Sequence, residues 1–347
     1  MTKNSTEGLE FPFKTVPEPT EPITVADGIL WIRLPLPFAL DHVNVWLIED
    51  GDGWMLVDTG IATDHLKGIW DALLKDGALS GHSITRVLAT HFHPDHIGLA
   101  GWLCARFETD LLAPRTEWQK ARLLSTDNSD RLAAGVTNFY RKLGVEAEDL
   151  IRISERGNIY ARRVSPIPLS HERLIDGEAL SIGGSDWHII MTPGHAPEMA
   201  CLYNAERNIL IAADHILPEI SPNVSIWPDE PLANPLGEFR HSLQKIRDQV
   251  PEDCFVLPSH GRPFLGLHER IDWLDAHHVD RLAETLAICQ SPVTGKQVMT
   301  EMFKRKLDPH QWGFAMGEAL AHVNYLIAEH RISRNEDADQ ILRFTAI

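Results

Sequence analysis

The features that this 347-residue chain lacks exclude several classes of protein. Its four cysteines lie far apart and form no Cys-x-x-Cys pair, which predicts buried, reduced thiols and a cytoplasmic location. No apolar run is long enough to span a bilayer, and residues 1–28 contain four prolines and no apolar core of an export signal. Lys and Arg number 32 against 49 Asp and Glu, and the net charge of −17 opposes binding to nucleic acid through bulk electrostatics. We therefore expect a cytoplasmic protein that acts on small molecules and binds no membrane.

A dense cluster of histidine and aspartate is the most informative feature that is present. Residues 88–98 read Leu-Ala-Thr-His-Phe-His-Pro-Asp-His-Ile-Gly, and they contain His91, His93, Asp95 and His96. A short apolar run that predicts a strand precedes the cluster, and a longer stretch that predicts a helix follows it. Neutral imidazole and carboxylate are the ligands that a cation such as Zn²⁺ prefers. The cluster therefore predicts a metal site at a strand-to-helix junction.

Three later segments supply further residues of the same type. Each is an apolar run, predicted as a strand, that ends in a polar residue: His195 follows 187–191, Asp214 follows 209–213, and His260 follows 255–258. The carboxyl ends of strands are where the binding sites of α/β proteins collect. We therefore expect these side chains to meet the first cluster in one site.

From about Ile23 to Leu267 the chain resembles the metallo-β-lactamase fold hydrolases. The signature His-x-His-x-Asp-His of that family matches residues 91–96, and Thr-Pro-Gly-His matches 192–195. The resemblance implies two divalent metal ions, zinc first, with iron or manganese left open. One ion would be held by His91, His93 and His195, the second by Asp95, His96 and His260, with Asp214 bridging both.

An earlier motif of the family matches Val57-Asp58-Thr-Gly60. The resemblance implies that Asp58 orients the metal ligands. An ordinary turn aspartate is the alternative interpretation.

The chain departs from the family pattern after His195. Ala196 stands where the family usually has Ser or Thr, so a hydroxyl beside the site is removed. Glu198 stands where the family usually has Gly, so a carboxylate is added there.

The family fold is an α/β, four-layer αββα sandwich, expected here over residues 23–267. An extended arm over 1–22 precedes it, and a helical insertion interrupts it at about 115–165. Residues 29–58 contain three apolar runs that predict an opening antiparallel meander (29–36, 42–49 and 54–58). Within the insertion, residues 117–150 have helical spacing. They are expected either to cover the metal pocket as a lid or to pack on the outer face.

The last 80 residues, 268–347, predict a separate unit of three helices and a hairpin. A capping box at Thr294–Gln297 begins the second helix, and Asp308-Pro309 begins the third. This arrangement is similar to the winged-helix appendage in one branch of the family, part of which acts on RNA. However, residues 291–347 have a net charge of zero, and no Lys or Arg lies between Pro309 and His330. A packing or dimerising role is the better interpretation, and a homodimer is left open.

A two-metal site predicts hydrolysis by a metal-bridging hydroxide, which Asp95 would help to orient. The chain has no Gly-x-Ser-x-Gly motif that would supply a serine nucleophile instead. The first hypothesis is a hydrolase of small-molecule thioesters or activated esters. The alternatives are a phosphodiesterase or endoribonuclease, an iron-dependent oxidoreductase on the same scaffold, and a non-catalytic binding protein.

The charge is unevenly distributed along the chain. Residues 115–170 contain ten Lys or Arg and seven acids, a local charge of +3, so the remainder carries −20. This segment is expected either to recognise an anionic substrate, such as an acyl group carried on coenzyme A, or to neutralise nearby acids in weak surface pairs.

Overall fold

The computed structural model describes residues 5–75 and 77–347, except the side chains of residues 309 and 310. The first sheet contains seven strands: β1 Ile23–Ala26, β2 Ile29–Pro35, β3 His42–Asp50, β4 Gly53–Val57, β5 Ser83–Leu88, β6 Leu111–Pro114 and β7 Glu172–Leu174. The second sheet contains five: β8 Ala179–Ile182, β9 Ser185–Met191, β10 Ala200–Asn204, β11 Ile209–Ala213 and β12 Phe255–Pro258. The last two strands, β13 Ile332–Glu336 and β14 Leu342–Ala346, form a separate antiparallel pair.

The first sheet follows chain order from β1 to β7. Strands β1 to β4 pair antiparallel, which confirms the predicted opening meander. Strands β4 to β7 pair in parallel and are joined through helices, as parallel pairing requires. The second sheet runs β12-β11-β10-β9-β8 and is antiparallel except for the β11–β12 pair.

The helices lie outside the two sheets. They are α1 Asp64–Lys75, α2 Pro94–Ile97, α3 Ala100–Phe107, α4 Arg115–Thr126, α5 Asp130–Lys142, α6 Ala147–Glu155, α7 Pro235–Gln249, α8 Leu267–Ile288, α9 Gly295–Met302 and α10 Pro309–Ala328. Among the described helices, none combines the length and the apolar character needed to cross a bilayer.

Three apolar cores separate the four layers of the sandwich. Neighbouring residues of a strand enter different cores because successive side chains point to opposite faces. In β2, Trp31 enters the core between the sheets, whereas Ile32 packs beneath α1 and α3. In β11, Ile211 faces the first sheet, whereas Leu210 packs with α7 and α8. The predicted αββα sandwich is confirmed.

The predicted helical insertion contains three helices, α4 to α6. Tyr140 and Leu143 at the end of α5 are buried in the same core as the C-terminal helices, and the Tyr140 ring lies 5.3 Å from that of Trp312. Helices α5 and α6 therefore pack against the C-terminal helices. The loop after α6 takes a different course and reaches the site described below.

The C-terminal helices begin where the sequence predicts. Thr294 and Gln297 form the reciprocal capping box of α9, and Oδ1 of Asp308 accepts from the backbone N–H of Gln311 at the start of α10. Helices α8 and α10 share an apolar core with α7, so this unit is built onto the second sheet. The winged-helix description and the predicted domain boundaries stay predictions.

Candidate metal centre

Every predicted ligand follows a strand at one edge of the sandwich. The 91–96 cluster follows β5, while His195, Asp214 and His260 follow β9, β11 and β12. Asp58 follows β4. The two sheets converge at this edge, so Asp95 and His260, which are 165 positions apart in the sequence, come within bonding distance of one cation.

The first set of ligands, here called the three-histidine group, comprises His91, His93 and His195. Nδ1 of His93 lies 3.0 Å from Nε2 of His91 and 2.9 Å from Nε2 of His195. His91 is fully buried, and His195 is nearly so. The three imidazoles therefore lie close enough together to bind one cation.

The second set, here called the mixed group, comprises Asp95, His96 and His260. Oδ2 of Asp95 lies 3.6 Å from Nε2 of His96 and 3.6 Å from Nε2 of His260. Asp214 lies between the two groups: its Oδ2 is 3.3 Å from Nε2 of His195, and its Oδ1 is 3.3 Å from Nε2 of His260. The structure thus brings all seven predicted side chains together. Which of the two ions each would bind stays a prediction.

The outer nitrogens of four histidines are fixed by oxygen atoms. Nδ1 of His195 lies 2.7 Å from the carbonyl of Asn223, and Nδ1 of His260 lies 2.7 Å from the carbonyl of His42. A carbonyl only accepts, so each Nδ1 carries a proton and each Nε2 presents a lone pair to the centre. His96 and His91 are held in the same way by neighbouring side chains.

Asp58 supplies that support on the first sheet. Its Oδ2 accepts from Nδ1 of His96 at 2.8 Å, and its Oδ1 accepts from the backbone N–H of Thr90 at 2.8 Å. The Thr90 hydroxyl donates to the same carboxylate at 2.9 Å, so its oxygen is left to accept from Nδ1 of His91, 3.0 Å away. One buried carboxylate therefore orients His96 directly and His91 through Thr90, as metal centres commonly require.

The backbone at two of these positions is special. Asp58 has a φ of 63°, a left-handed conformation that costs energy for a residue other than glycine. Gly194, directly before His195, has a φ of 132°, and a Cβ there would lie 2.5 Å from the Cα of Phe239 in α7. Only glycine allows the chain to bring His195 this close to α7.

The electrostatics of the two groups differ. Burial lowers the pKa of each imidazole in the three-histidine group, which keeps them in the neutral, metal-binding form. Burial also opposes protonation of His96 and His260, but the neighbouring carboxylates, Asp214 first and then Asp95, together outweigh it and raise the pKa of both. Burial alone would raise the pKa of Asp214, yet these two imidazoles hold it well below its usual range. Asp214 is therefore a carboxylate.

The donor set fits divalent cations. The lone pairs of His91 and His195 face Nδ1 of His93 at hydrogen-bond distance, and a single proton cannot satisfy all three nitrogens. Within the described part of the chain, Nε2 of His96 and Oδ1 of Asp214 are buried and make no hydrogen bond. A cation in each group would accept these lone pairs and offset the cost of burying them.

A cavity of about 790 Å³ opens onto the cluster. Part of its wall is apolar and contains Leu36, Phe38, Leu40, Ile61, Ile159, Leu217, Ile220 and Phe314. Arg156 and Arg163, from the loop after α6, lie on the same wall. The Arg163 guanidinium stacks 4.6 Å over the Phe38 ring. The insertion thus contributes its final loop to the pocket, in addition to the packing of α5 and α6 elsewhere.

Sequence reasoning missed one buried carboxylate beside the site. Glu117 in α4 accepts from the backbone N–H of Phe92, between His91 and His93, and from that of Glu198. Burial raises the pKa of Glu117 to about 7. Oε2 of Glu198 accepts from the N–H of Thr116 at the start of α4, so this unusual carboxylate is directed towards that helix. No motif marks Glu117, because its partners are main-chain groups distant in sequence.

Ser242 and Lys245 in α7 have the Ser-x-x-Lys spacing of a serine-nucleophile motif, but both side chains make structural contacts. The Ser242 hydroxyl donates to the carbonyl of Pro193 at 2.9 Å, and Lys245 binds Asp176 at 2.7 Å. These contacts hold α7 against the loop that carries His195.

Comparisons with known proteins agree with this geometry. Residues 39–260 match the family model described as the metallo-beta-lactamase superfamily, and residues 282–347 match the one described as metallo-beta-lactamase-like, C-terminal domain. The crystal structure of a beta-lactamase domain protein from Burkholderia ambifaria is 34% identical, with a TM-score of 0.91 over 99% of both chains.

Two curated relatives are more distant. The probable metallo-hydrolase YqjP of Bacillus subtilis (strain 168) is 25% identical over 88% of this chain and 94% of its own length. The acyl-coenzyme A thioesterase MBLAC2 of Homo sapiens is 24% identical over 74% of this chain and 86% of its own. Together with the seven convergent side chains and the αββα sandwich, the family match shows that this chain belongs to the metallo-beta-lactamase superfamily.

Proposed function

We propose that this protein is a hydrolase with two divalent metal ions that acts on small-molecule thioesters whose acyl group is carried by an anionic thiol. The observation that carries the proposal is the cavity, because apolar side chains and Arg163 line it together with five of the seven candidate ligands, His93, Asp95, His195, Asp214 and His260. An apolar wall suits an acyl chain, and a guanidinium suits the phosphates of a carrier.

The residues divide the chemical work. His91, His93 and His195 would hold one ion, Asp95, His96 and His260 the other, and Asp214 would contact both. When bound, such ions supply Lewis acidity, which polarises a carbonyl and lowers the pKa of a water molecule. Asp95 is partly exposed and lines the cavity, so its carboxylate is available to orient the attacking water. Asp58 and Thr90 fix the ring orientations of His96 and His91.

Two observations support a thioester substrate, and two others disfavour a nucleic acid. The MBLAC2 relatives are named acyl-coenzyme A thioesterases, and the cavity provides both surfaces that such a substrate needs. A phosphodiesterase or nuclease is disfavoured by the net charge of −17. The pocket is also rimmed by helix α10, which contains no Lys or Arg.

The test compares four substrates with zinc-loaded wild-type protein: a long-chain acyl-coenzyme A, the same acyl group on N-acetylcysteamine, a lactone and a single-stranded RNA. We expect the acyl-coenzyme A to have the highest kcat/KM, by about tenfold or more over the phosphate-free thioester. Efficient RNA cleavage without thioester hydrolysis would overturn the proposal and favour the nuclease alternative.

A further inference from the structure

We infer that the C-terminal unit completes the metal centre, because Gly317 and Glu318 of α10 clamp the segment whose main-chain carbonyl orients His195. The inference rests on the proposed metal centre but not on the proposed substrate. It concerns how a ligand is positioned, and it assigns α10 a role beyond packing.

The connection consists of successive contacts. Nδ1 of His195 donates to the carbonyl of Asn223, 2.7 Å away, in the segment 221–226 between β11 and α7. The Asn223 side chain donates to Oε2 of Glu318 at 3.4 Å and accepts from the hydroxyl of Ser225. The backbone N–H of Ile226 donates to the carbonyl of Gly317 at 3.0 Å. The segment that fixes His195 is therefore bound on two sides by one turn of α10.

The packing at Gly317 is too close for any side chain. A Cβ at this position would lie 2.7 Å from both Cβ and Oγ of Ser225, and 3.0 Å from the carbonyl oxygen of Ile226. Gly313, one turn earlier in the same helix, has space, since a Cβ there has its nearest neighbour 3.9 Å away, at the hydroxyl of Tyr140. The close approach is thus specific to the turn that contacts the Asn223 segment.

Glu318 is held in surroundings that oppose its ionisation. Burial raises the pKa of this carboxyl to about 7, although Arg281 of α8, the hydrogen bond from Asn223 and Arg305 each act in the opposite direction. Gln311 and Phe314, on the preceding turns of α10, line the same cavity as His195. The helix therefore contacts both the pocket and the segment behind the ligand.

The expected consequence is a metal site that depends on α10. Groups that orient a metal-bound histidine typically change metal affinity by about 10- to 100-fold when they are altered. Displacing the Asn223 carbonyl removes the acceptor that keeps the proton on Nδ1 of His195. The imidazole is then free to rotate or change tautomer, and its Nε2 lone pair is no longer directed at the centre.

The experiment measures zinc affinity of the full-length protein by competition with a chromophoric chelator, together with the Tm of the metal-free protein. Gly317→Ala should lower the affinity for at least one of the two zinc ions by about tenfold or more. The matched control Gly313→Ala should bind zinc as wild type does. Equal zinc affinity in Gly317→Ala and wild type, or equal losses in both alanine variants, would overturn the clamp.

A second pair of variants decides the matter if Gly317→Ala does not fold. Glu318→Gln retains an acceptor oxygen for Asn223 and should keep wild-type zinc affinity, whereas Glu318→Leu removes it and should lose about tenfold. A purely structural role would lower the metal-free Tm of Glu318→Leu and leave its zinc affinity unchanged, which would contradict the clamp.

Two outcomes for the wild type separate this inference from the proposed function. Wild-type protein that binds no zinc would overturn the metal centre itself. Normal zinc binding without thioesterase activity would overturn only the proposed substrate.

Discussion

The metal cluster and the helical insertion are both rich in charged side chains, but the structure uses them differently. All seven candidate ligands of the cluster converge on one point. Of the ten basic residues in 115–170, Arg156 and Arg163 line the cavity. Others form ion pairs away from it, such as Lys120 with Asp229 at 2.9 Å and Lys142 with Glu336 at 3.1 Å.

The difference shows which sequence signals are strong. A residue at the end of a strand is fixed by the sheet, so a pattern repeated at several strand ends predicts a site. A basic residue on a helix has a long flexible side chain and many nearby acids, so local charge alone predicts little. Arg163 reaches the pocket because it lies in a loop, where its backbone accepts from the N–H of Ala62. Substitutions in the two regions should therefore have very different effects.

The largest effect is expected at Asp214. Asp214→Ala removes the carboxylate between the two groups, so two cations held there would repel each other without a shared anion. We expect most bound metal and nearly all hydrolytic activity to be lost, by about 10³-fold or more, with the fold retained. Metal analysis, activity assays and circular dichroism check this, with Asp52→Ala in the exposed β3–β4 turn as a control. Two metals per chain and full activity in Asp214→Ala would refute the bridging role.

The next effect is expected behind the cluster, at Asp58. Asn tolerates the left-handed backbone at this position, so Asp58→Asn changes the hydrogen bonds and leaves the turn intact. An amide cannot accept from His96 and from both groups of Thr90 at once. Metal affinity should fall about 10- to 100-fold. Chelator competition measures this, and an unchanged affinity would favour the alternative of an ordinary turn aspartate.

A smaller and selective effect is expected at the one insertion residue that stacks in the pocket. Arg163→Ala should lower kcat/KM for an acyl-coenzyme A about tenfold, because one charge-assisted contact to phosphate is lost. The phosphate-free thioester should be hydrolysed at nearly the wild-type rate. Arg131→Ala is the matched control, since this exposed residue of α5 does not line the cavity. Equal losses on both substrates would assign Arg163 to structure.

The smallest effect is expected on the exposed face of the insertion. Arg152 pairs with Glu148 and Asp149 within α6, and these partners are largely solvent-exposed. Arg152→Ala should change activity by less than about twofold and stability by less than about 1 kcal/mol. Urea unfolding and steady-state kinetics provide the measurement. A tenfold loss of kcat/KM would show that the charge of the insertion acts beyond the cavity wall.

The sequence predicts most of the ligand set and the sandwich, because both depend on local patterns. Near-continuous apolar runs in β2 to β4 mark a sheet buried on both faces, and His91, His93, Asp95 and His96 are close in sequence. The supports behind the ligands are a different case. Asn223, His42 and Glu117 act through main-chain groups or through contacts across the fold, and any residue type supplies a carbonyl. Such contacts leave no sequence pattern.

The sequence does not predict where the helices of the insertion pack, because contacts across the fold leave no sequence pattern. Helical spacing predicts that α4 to α6 exist, but not which apolar face each one meets. The packing of Tyr140 against Trp312 depends on where the C-terminal helices lie, and this is a tertiary property. Helix α5 packs on the C-terminal helices, and within the fully described segment 117–150 no side chain lines the cavity. The loop after α6, which contains Arg163, reaches the cavity instead.

Seven side chains from the two sheets form the proposed site for two divalent cations. The decisive experiment is metal analysis of the full-length protein after loading with zinc and removal of excess ion. We expect two zinc ions per chain for the wild type and fewer than one for Asp214→Ala. Retention of less than one zinc, iron or manganese ion per chain by a folded wild-type protein would refute the two-metal centre.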